Sequence, residues 1–393
     1  MLDSPPSQGG IEWVPITMKL TFSPTELKNA MAIVSKAIAP KSSLPILAYV
    51  KFSMNSDGVL LLTGANNENT LTVACPVSGV EDFREVCIDA ALLNKALSTL
   101  PNAPIDIEVK DNGEAVLTYA TGHFSFAVLP VDEYPEPPYM PEGAQQIALT
   151  TDVIKSAMKA CKPFCAYDEL RPVMNGVCMD LVPNVLTFAA SDGHRLVRKA
   201  FPAVSTEGKT GTLIISQPTA ALLDLMPREA ALTVTFTDNY AQFDCEGYSL
   251  SARLIEGRFP NYNSVIPTGN PYHVEASRAD LMAAIRRISA MGSKSSELLN
   301  FGVQSDLMGR VASIQAEDRD FSTSGYETIP VESNIDRPFH IGFKGSILLA
   351  LLSTHTADRV RIALADPTRA GVVTDIDGDP DLLTLIMPMM LND

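Results

Sequence analysis

The chain has 393 residues, 46% of them hydrophobic and 19% charged, with a formal net charge of −16. At roughly 100–200 residues per domain this length predicts two to four domains, each able to form its own core. The acidic balance excludes a protein that coats nucleic acid with its whole surface. No apolar run approaches the roughly 18 residues needed to span a bilayer, and no basic region followed by an apolar stretch opens the chain, so a soluble cytoplasmic protein is expected.

Residues 1–17 contain Pro5-Pro6 and Gly9-Gly10 but no Lys or Arg, and read as a flexible leader. The first patterned segment, Leu20 to Met31, reads as a strand, a turn and a helix, with Ser23 where an N-cap is wanted and Glu26 in the first turn. The pattern returns in Ile147–Met158 with Thr150 and Asp152, and in Val274–Ile285 with Ser277 and Asp280. Leu27, Ile154 and Leu281 are spaced by 127 residues, as are Asp89, Ser216 and Phe343, each of which precedes a second predicted helix: Ala90 to Leu100, Thr219 to Met226, and Ser346 to Leu352. Two helices in one register three times over predict a threefold internal repeat, with domains at 18–145, 146–271 and 272–393.

Between the helices lie period-2 segments that read as strands, Val59–Thr63, Val185–Ala189 and Val311–Gln315, followed by polar turns at Asn66-Asn67, Ser191-Asp192 and Glu317-Asp318. Further strands follow at Phe124–Leu129, Tyr248–Leu254 and Leu383–Met387. The expected fold class is α+β, each copy combining antiparallel sheet with two helices. Six cysteines in no metal spacing read as reduced structural thiols, although Cys161 and Cys165 share a helix face. No Gly-rich loop ending in Lys-Ser or Lys-Thr is present, and neither cofactor nor metal is predicted.

Basic residues concentrate on the first helix of each copy: Lys28 and Lys36, then Lys155, Lys159 and Lys162, then Arg286 and Arg287, with Lys41 and Arg171 close by. On three copies set in an arc these form one basic lining able to follow a phosphate backbone; ordinary solvated helix faces are the alternative. Ser191-Asp-Gly-His-Arg-Leu196 has the residue types of a metal-dependent hydrolytic site centred on Asp192 and His194, but the acidic turn recurs in the sister copies. A plain turn, a binding site and catalysis therefore stay open, as does a repeat scaffold that binds proteins alone. In Leu383–Leu391, Pro388 cannot join a ladder, so the methionine-rich end should leave the sheet and lie over a neighbouring surface.

Leu44-Pro-Ile-Leu47, the 191–196 segment, Gly257-Arg-Phe-Pro-Asn-Tyr262 and Met387-Pro-Met389, in this order, resemble the beta sliding clamp family of bacterial DNA polymerase III from Met18 to Leu391. The resemblance implies a non-catalytic processivity factor whose three-domain subunits pair head to tail into a homodimeric ring around double-stranded DNA. It implies polymerase, clamp loader and other clamp-motif proteins as partners, and a cytoplasmic, nucleoid-associated location during replication. By position it implies a partner-peptide groove of Met174, Gly193, His194, Arg195, Leu196, Pro260, Val265, Leu385, Met387, Pro388, Met389 and Leu391. It also implies DNA-facing Lys41 and Arg171, and a dimer contact of Phe124 and Phe126 with Ala290 and Met291. Val173 stands where the family favours an aromatic, Ser264 where arginine is common and Met390 where a basic residue is usual, and Asn392 and Asp393 extend past the usual end.

Overall fold

A computed structural model describes residues 18–38, 44–306 and 309–391; the leader at 1–17, Lys41, Asn392 and Asp393 lie outside the described residues. The first copy runs β1 (Met18–Phe22), α1 (Pro24–Val34), β2 (Tyr49–Met54), β3 (Leu60–Ala65), β4 (Asn69–Cys75), β5 (Gly79–Glu81), β6 (Val86–Asp89), α2 (Ala90–Thr99), β7 (Ile105–Val109), β8 (Glu114–Tyr119) and β9 (Gly122–Leu129). The second runs β10 (Gln145–Thr150), α3 (Thr151–Cys161), β11 (Gly176–Val182), β12 (Val185–Ser191), β13 (Arg195–Phe201), β14 (Gly211–Ser216), α4 (Gln217–Leu223), β15 (Ala231–Phe236), β16 (Tyr240–Cys245) and β17 (Tyr248–Arg253). The third runs β18 (Tyr272–Ser277), α5 (Arg278–Ser289), β19 (Leu298–Asp306), β20 (Gly309–Asp318), β21 (Thr323–Pro330), β22 (Glu332–Ser333), β23 (Phe339–Lys344), α6 (Gly345–Thr354), β24 (Arg359–Leu364), β25 (Gly371–Asp375) and β26 (Leu382–Ile386). Apart from the short β5 and β22, the order of strands and helices is the same in all three.

Compactness divides the chain into two units: residues to Tyr139 with Gln242–Ala252, and Met140–Ala241 with Arg253 onward. In the first, strands follow the order β5-β1-β7-β8-β9-β6-β2-β3-β4, and β17 adds to β4 with Leu250 opposite Leu71. That pairing groups Gln242–Ala252 with the first copy. In the second unit a nine-stranded sheet runs β14-β11-β12-β13-β26-β25-β24-β18-β22 beside a four-stranded one, β21-β20-β19-β23. No helix among the described residues is long and apolar enough to cross a membrane.

The residues that set the repeat are core residues: Leu27, Ile154 and Leu281 are each fully buried. Their helices start at the same relative position, but capping differs. Ser277 Oγ accepts the Asp280 amide, whereas Ser23 and Thr150 make no side-chain cap bond. For the second helices, Asp89 accepts from Leu92 and Ser216 from Thr219. In the third the N-cap position falls on Lys344, one residue past the repeat register, and α6 begins at Gly345, one residue before the expected Ser346; Phe343 stays in β23, its ring 6.3 Å from that of Phe301. The packed Phe pair holds the strand for one more residue.

A second repeated contact joins the two helices of each copy. Lys28 Nζ donates to the Leu100 carbonyl at 3.1 Å, and Lys155 Nζ to those of Asp224 and Met226 at 2.5 and 2.6 Å. In the third copy the matching position is Met282; Arg278, one turn earlier, donates to the Ala357 carbonyl at 2.7 Å and to the Met282 sulfur. A cation thus sits at the negative end of each second helix or just past it, where carbonyls lack intrahelical partners. All six cysteines are free, and burial pushes the Cys75, Cys87 and Cys165 thiols up to about 12.

Replacing Ile154 with Ala should destabilise the protein by about 2–5 kcal/mol, the range for emptying a packed site, read as a lower denaturant midpoint at an unchanged slope. Lys155→Met keeps the aliphatic stem but leaves two carbonyls without a partner. It should lower unfolding free energy by about 1–2 kcal/mol; unchanged stability would show that the ammonium does not cap α4.

Candidate functional site

The site grows from one turn and one strand pair in the second unit. Asp192 Oδ1 accepts the amides of His194 and Arg195 at 2.9 and 3.0 Å, and its other oxygen takes Arg195 Nε at 2.8 Å. Asn66 and Asp318 hold the sister turns in the same way, each accepting the amides two and three residues on. The short polar side chain closes the turn in every copy. Ser191 Oγ donates to the Arg195 carbonyl and accepts from the Gly193 amide, at 2.8 and 3.1 Å, so it points into the turn and away from any role as a nucleophile paired with His194. Gly193 has φ +92°, and a Cβ there would lie 3.2 Å from an Arg171 nitrogen.

From this turn β13 runs antiparallel to β26, with Arg195 opposite Ile386, Leu196 opposite Leu385 and Val197 opposite Thr384. Leu196 and Leu385 join a cluster with Cys178, Ile214, Phe259, Tyr262 and Ala370, against which Val173, Ile255 and Ile266 pack. The second and third copies thus share one apolar floor. The first copy builds a related cluster from Ile46, Leu47, Ala65, Cys87 and Tyr134; Ile46 and Val173, Leu47 and Met174, and Cys87 and Ile214 are all 127 apart.

Beyond β26 the chain changes sheets at Pro388. The Met387 amide donates to the His194 carbonyl at 2.8 Å, and the Met389 amide to that of Gly342 on β23, also at 2.8 Å. Gly342 is needed for this approach, since a Cβ would strike the Met389 carbonyl oxygen. His194, Pro260, Val265 and Met387 are exposed, Leu196 and Leu385 are buried in the floor, and Met174, next to Val173, is also buried. Leu391 stands apart: it lies against Gly342 and lines a polar depression on the four-stranded sheet with Asn300, Gln315 and Tyr326.

The rim is fixed by charge. Arg171 Nε pairs with Asp168 at 2.7 Å, and that guanidinium holds the Asp168 carboxyl below its usual range. Arg195 also lies 5.2 Å above the buried Phe164 ring. Both arginines line a depression with His194, Tyr167 and Cys165, so Arg171, expected to face DNA, stands here at the 192–195 turn. Across the floor, Asp180 accepts the hydroxyls of Tyr262 and Thr212 at 2.9 and 3.1 Å, and burial together with that bond raises the Tyr262 phenol. Ile255 and Ala370 escaped the sequence reading, and Phe259 and Tyr262 entered it only through the 257–262 motif; nothing local marks Ala370.

Of the other basic residues expected on a lining, Lys36, Lys159 and Arg286 are exposed. Lys28 and Lys155 are the helix-end donors, Lys162 is 3.9 Å from Asp224, and Arg287 pairs with Glu327 on β21, holding that carboxyl below its usual range. Phe124 stacks on Tyr119 with centroids 5.5 Å apart, and Phe126 is 8% exposed within its own unit. Met291 is 42% exposed at the end of α5, beside exposed Ala290.

A sequence model described as the DNA polymerase III beta subunit, N-terminal domain, matches residues 18–138, and one described as its central domain matches 148–261. Together they cover more than half of the chain. The beta sliding clamp of Synechococcus elongatus is 26% identical over 95% of this chain and 100% of its own length; that of Bacillus subtilis is 21% identical over 95% and 99%. Among solved structures, a DnaN sliding clamp from Pseudomonas aeruginosa bound to griselimycin aligns with a TM-score of 0.88 at 22% identity, and a DNA polymerase III beta subunit from Thermotoga maritima with 0.85 at 22%, each over 95% of this chain and all of theirs. With two consecutive domains of one protein matched in order and relatives aligned over their full length, the chain belongs to the beta sliding clamp family of bacterial DNA polymerase III.

Proposed function

We propose that this protein is a processivity clamp: two copies close head to tail into a ring around duplex DNA and tether the replicative polymerase, the clamp loader and other proteins that carry a clamp-binding peptide. The full-length correspondence to beta sliding clamps is the observation that carries this. We take the three copies as domains at 18–145, 146–271 and 272–393, supported by their shared element order. The protein works in the cytoplasm, at the nucleoid during replication.

The mechanism is topological. A closed ring keeps DNA by enclosure, so its contacts with phosphate are weak, salt-sensitive and blind to sequence, which is what sliding requires. Exposed Lys159 and Arg286 on the first helices, and Lys36 two residues past the end of α1, are suited to that lining, with Lys41 near Lys36 in sequence. Lys28 and Lys155 serve it less directly, because their ammonium groups already meet carbonyls. The net charge of −16 repels DNA from the rest of the surface.

Closure has candidate edges. Over Gly122–Ala127, β9 pairs with β8, and β6 reaches it only at Val128 and Leu129; β21 is an end strand of its sheet. We assign these edges, with Phe124, Phe126, Ala290 and Met291, to the contact between subunits, where each copy would cover the other's open strand. Partner peptides dock on the floor of Leu196, Leu385 and Met174, between His194, Arg195, Pro260 and Val265 and the Met387–Met389 tail. Gly193 admits close approach, and flexible thioethers let the groove accept several apolar side chains. Ser264 and Met390 leave its rim with fewer cations than the family pattern, favouring partners of less acidic character.

Loaded protein should stay on a nicked DNA circle and be lost when the circle is linearised; equal retention on both forms would refute enclosure. Deleting Met387 to Asp393 should abolish binding of a peptide from the same organism's replicative polymerase while sedimentation still reports a dimer, and dissociation to monomers would instead put the tail in the subunit contact.

A further inference from the structure

Behind the apolar floor runs a chain of polar contacts that peptide docking leaves unused. His355, which follows α6, is 1% exposed, with Nδ1 2.9 Å from Asp375 Oδ1 and Nε2 2.9 Å from Thr384 Oγ1. The other Asp375 oxygen accepts the Asp379 amide at 3.2 Å, and the Asp379 carboxylate takes Lys199 Nζ at 2.5 Å. Lys199 is on β13 and Thr384 on β26, so the chain ties both strands of the seam that builds the groove. Thr384 lies three residues before Met387, where the tail leaves the sheet.

Donor and acceptor roles are forced. A carboxylate can only accept, so in the neutral ring Nδ1 carries the proton and Nε2 accepts from the Thr384 hydroxyl. A proton added to Nε2 makes it a donor, and Thr384, fully buried, must then turn its own hydrogen to another acceptor. The charged groups facing the ring are Asp375 on β25, Asp379 in the loop before β26 and Arg278 on α5, with Lys199 of β13 beyond Asp379; α6 brings no ionisable side chain. Burial outweighs the two carboxylates and holds the imidazole below its ordinary value, Arg278 acting in the same direction. The neutral ring is therefore the resident form at neutral pH.

We propose that His355 is a positioning residue for the groove: its neutral Nε2 gives the buried Thr384 hydroxyl its acceptor and so latches β26 at the seam, and protonation takes that acceptor away and loosens the Met387–Leu391 tail, so that peptide binding weakens on acidification. This rests on reading the tail as part of the peptide groove.

Amide exchange at Met387 and Met389, corrected for intrinsic rates, tests it in the full-length protein at about pH 7.5 and about pH 4.5, the lower value set well under the ordinary histidine value because burial holds this ring below it. Protection of both amides should fall about tenfold at the lower pH, the loss of roughly one buried hydrogen bond, while β12 amides hold. His355→Gln should abolish the pH dependence. Thr384→Val, which keeps the side-chain shape, should lower protection equally at both pH values and serves if the first variant does not fold. Equal protection of the wild type at both pH values, the same loss in His355→Gln, or loss spread through β12 would overturn the latch. A tail that loosens with pH in a protein that binds no polymerase peptide at either pH supports the latch but overturns the groove reading and the binding half of the proposal.

Discussion

The antiparallel pairing of β13 with β26 is the contact on which the candidate site depends, and it joins segments about 190 residues apart in sequence. It continues one sheet from the second copy into the third and leaves neither strand with an open edge at the join. Because side chains alternate across a strand, it also sorts residues onto two faces. Leu196 and Leu385, opposite each other, enter the apolar floor; Val197 and Thr384, one step along, point the other way, where Thr384 meets His355. A slip of one residue would carry Thr384 into the floor and Leu385 against the imidazole, two burial errors at once. The register is therefore fixed from both faces.

The tail depends on that register as well. Met387 reaches the His194 carbonyl because Arg195 and Ile386 are already opposite, and Pro388, which has no amide hydrogen, lets the chain leave the ladder without orphaning a donor. Met389 then bonds to Gly342 in the second sheet. Met387 and Met389 are held by backbone hydrogen bonds, while the Met387 side chain stays exposed.

Electrostatics are divided between scaffold and surface. The cations of Lys28, Lys155 and Arg278 lie against carbonyls at or just past the ends of second helices, a use in which charge stabilises the fold. Those of Lys36, Lys159 and Arg286 are turned to solvent. The first group is committed to the fold by its carbonyl contacts, and only the second is left facing outward. The same distinction applies at the rim, where the Asp168 and Asp192 carboxylates orient Arg171 and Arg195 rather than merely neutralising them.

What the sequence determined by itself is the local and repeated part. The 127-residue period located all six helices, and five of them begin in the predicted register. The polar turns at Asn66, Asp192 and Asp318 could be read because an Asx side chain bonds to its own neighbours. Pro388 announced the departure of the tail because proline lacks a donor wherever it stands. The tertiary structure alone decided that β13 meets β26, that Ala370 belongs to the same floor as Phe259, that Lys155 caps a helix seventy residues further on, that Arg171 turns toward Gly193, and that the N-cap of α6 falls on Lys344, one residue past the repeat register. These outcomes depend on which distant groups satisfy one another's hydrogen bonds and fill one another's volume, and neither composition nor spacing along the chain encodes that pairing.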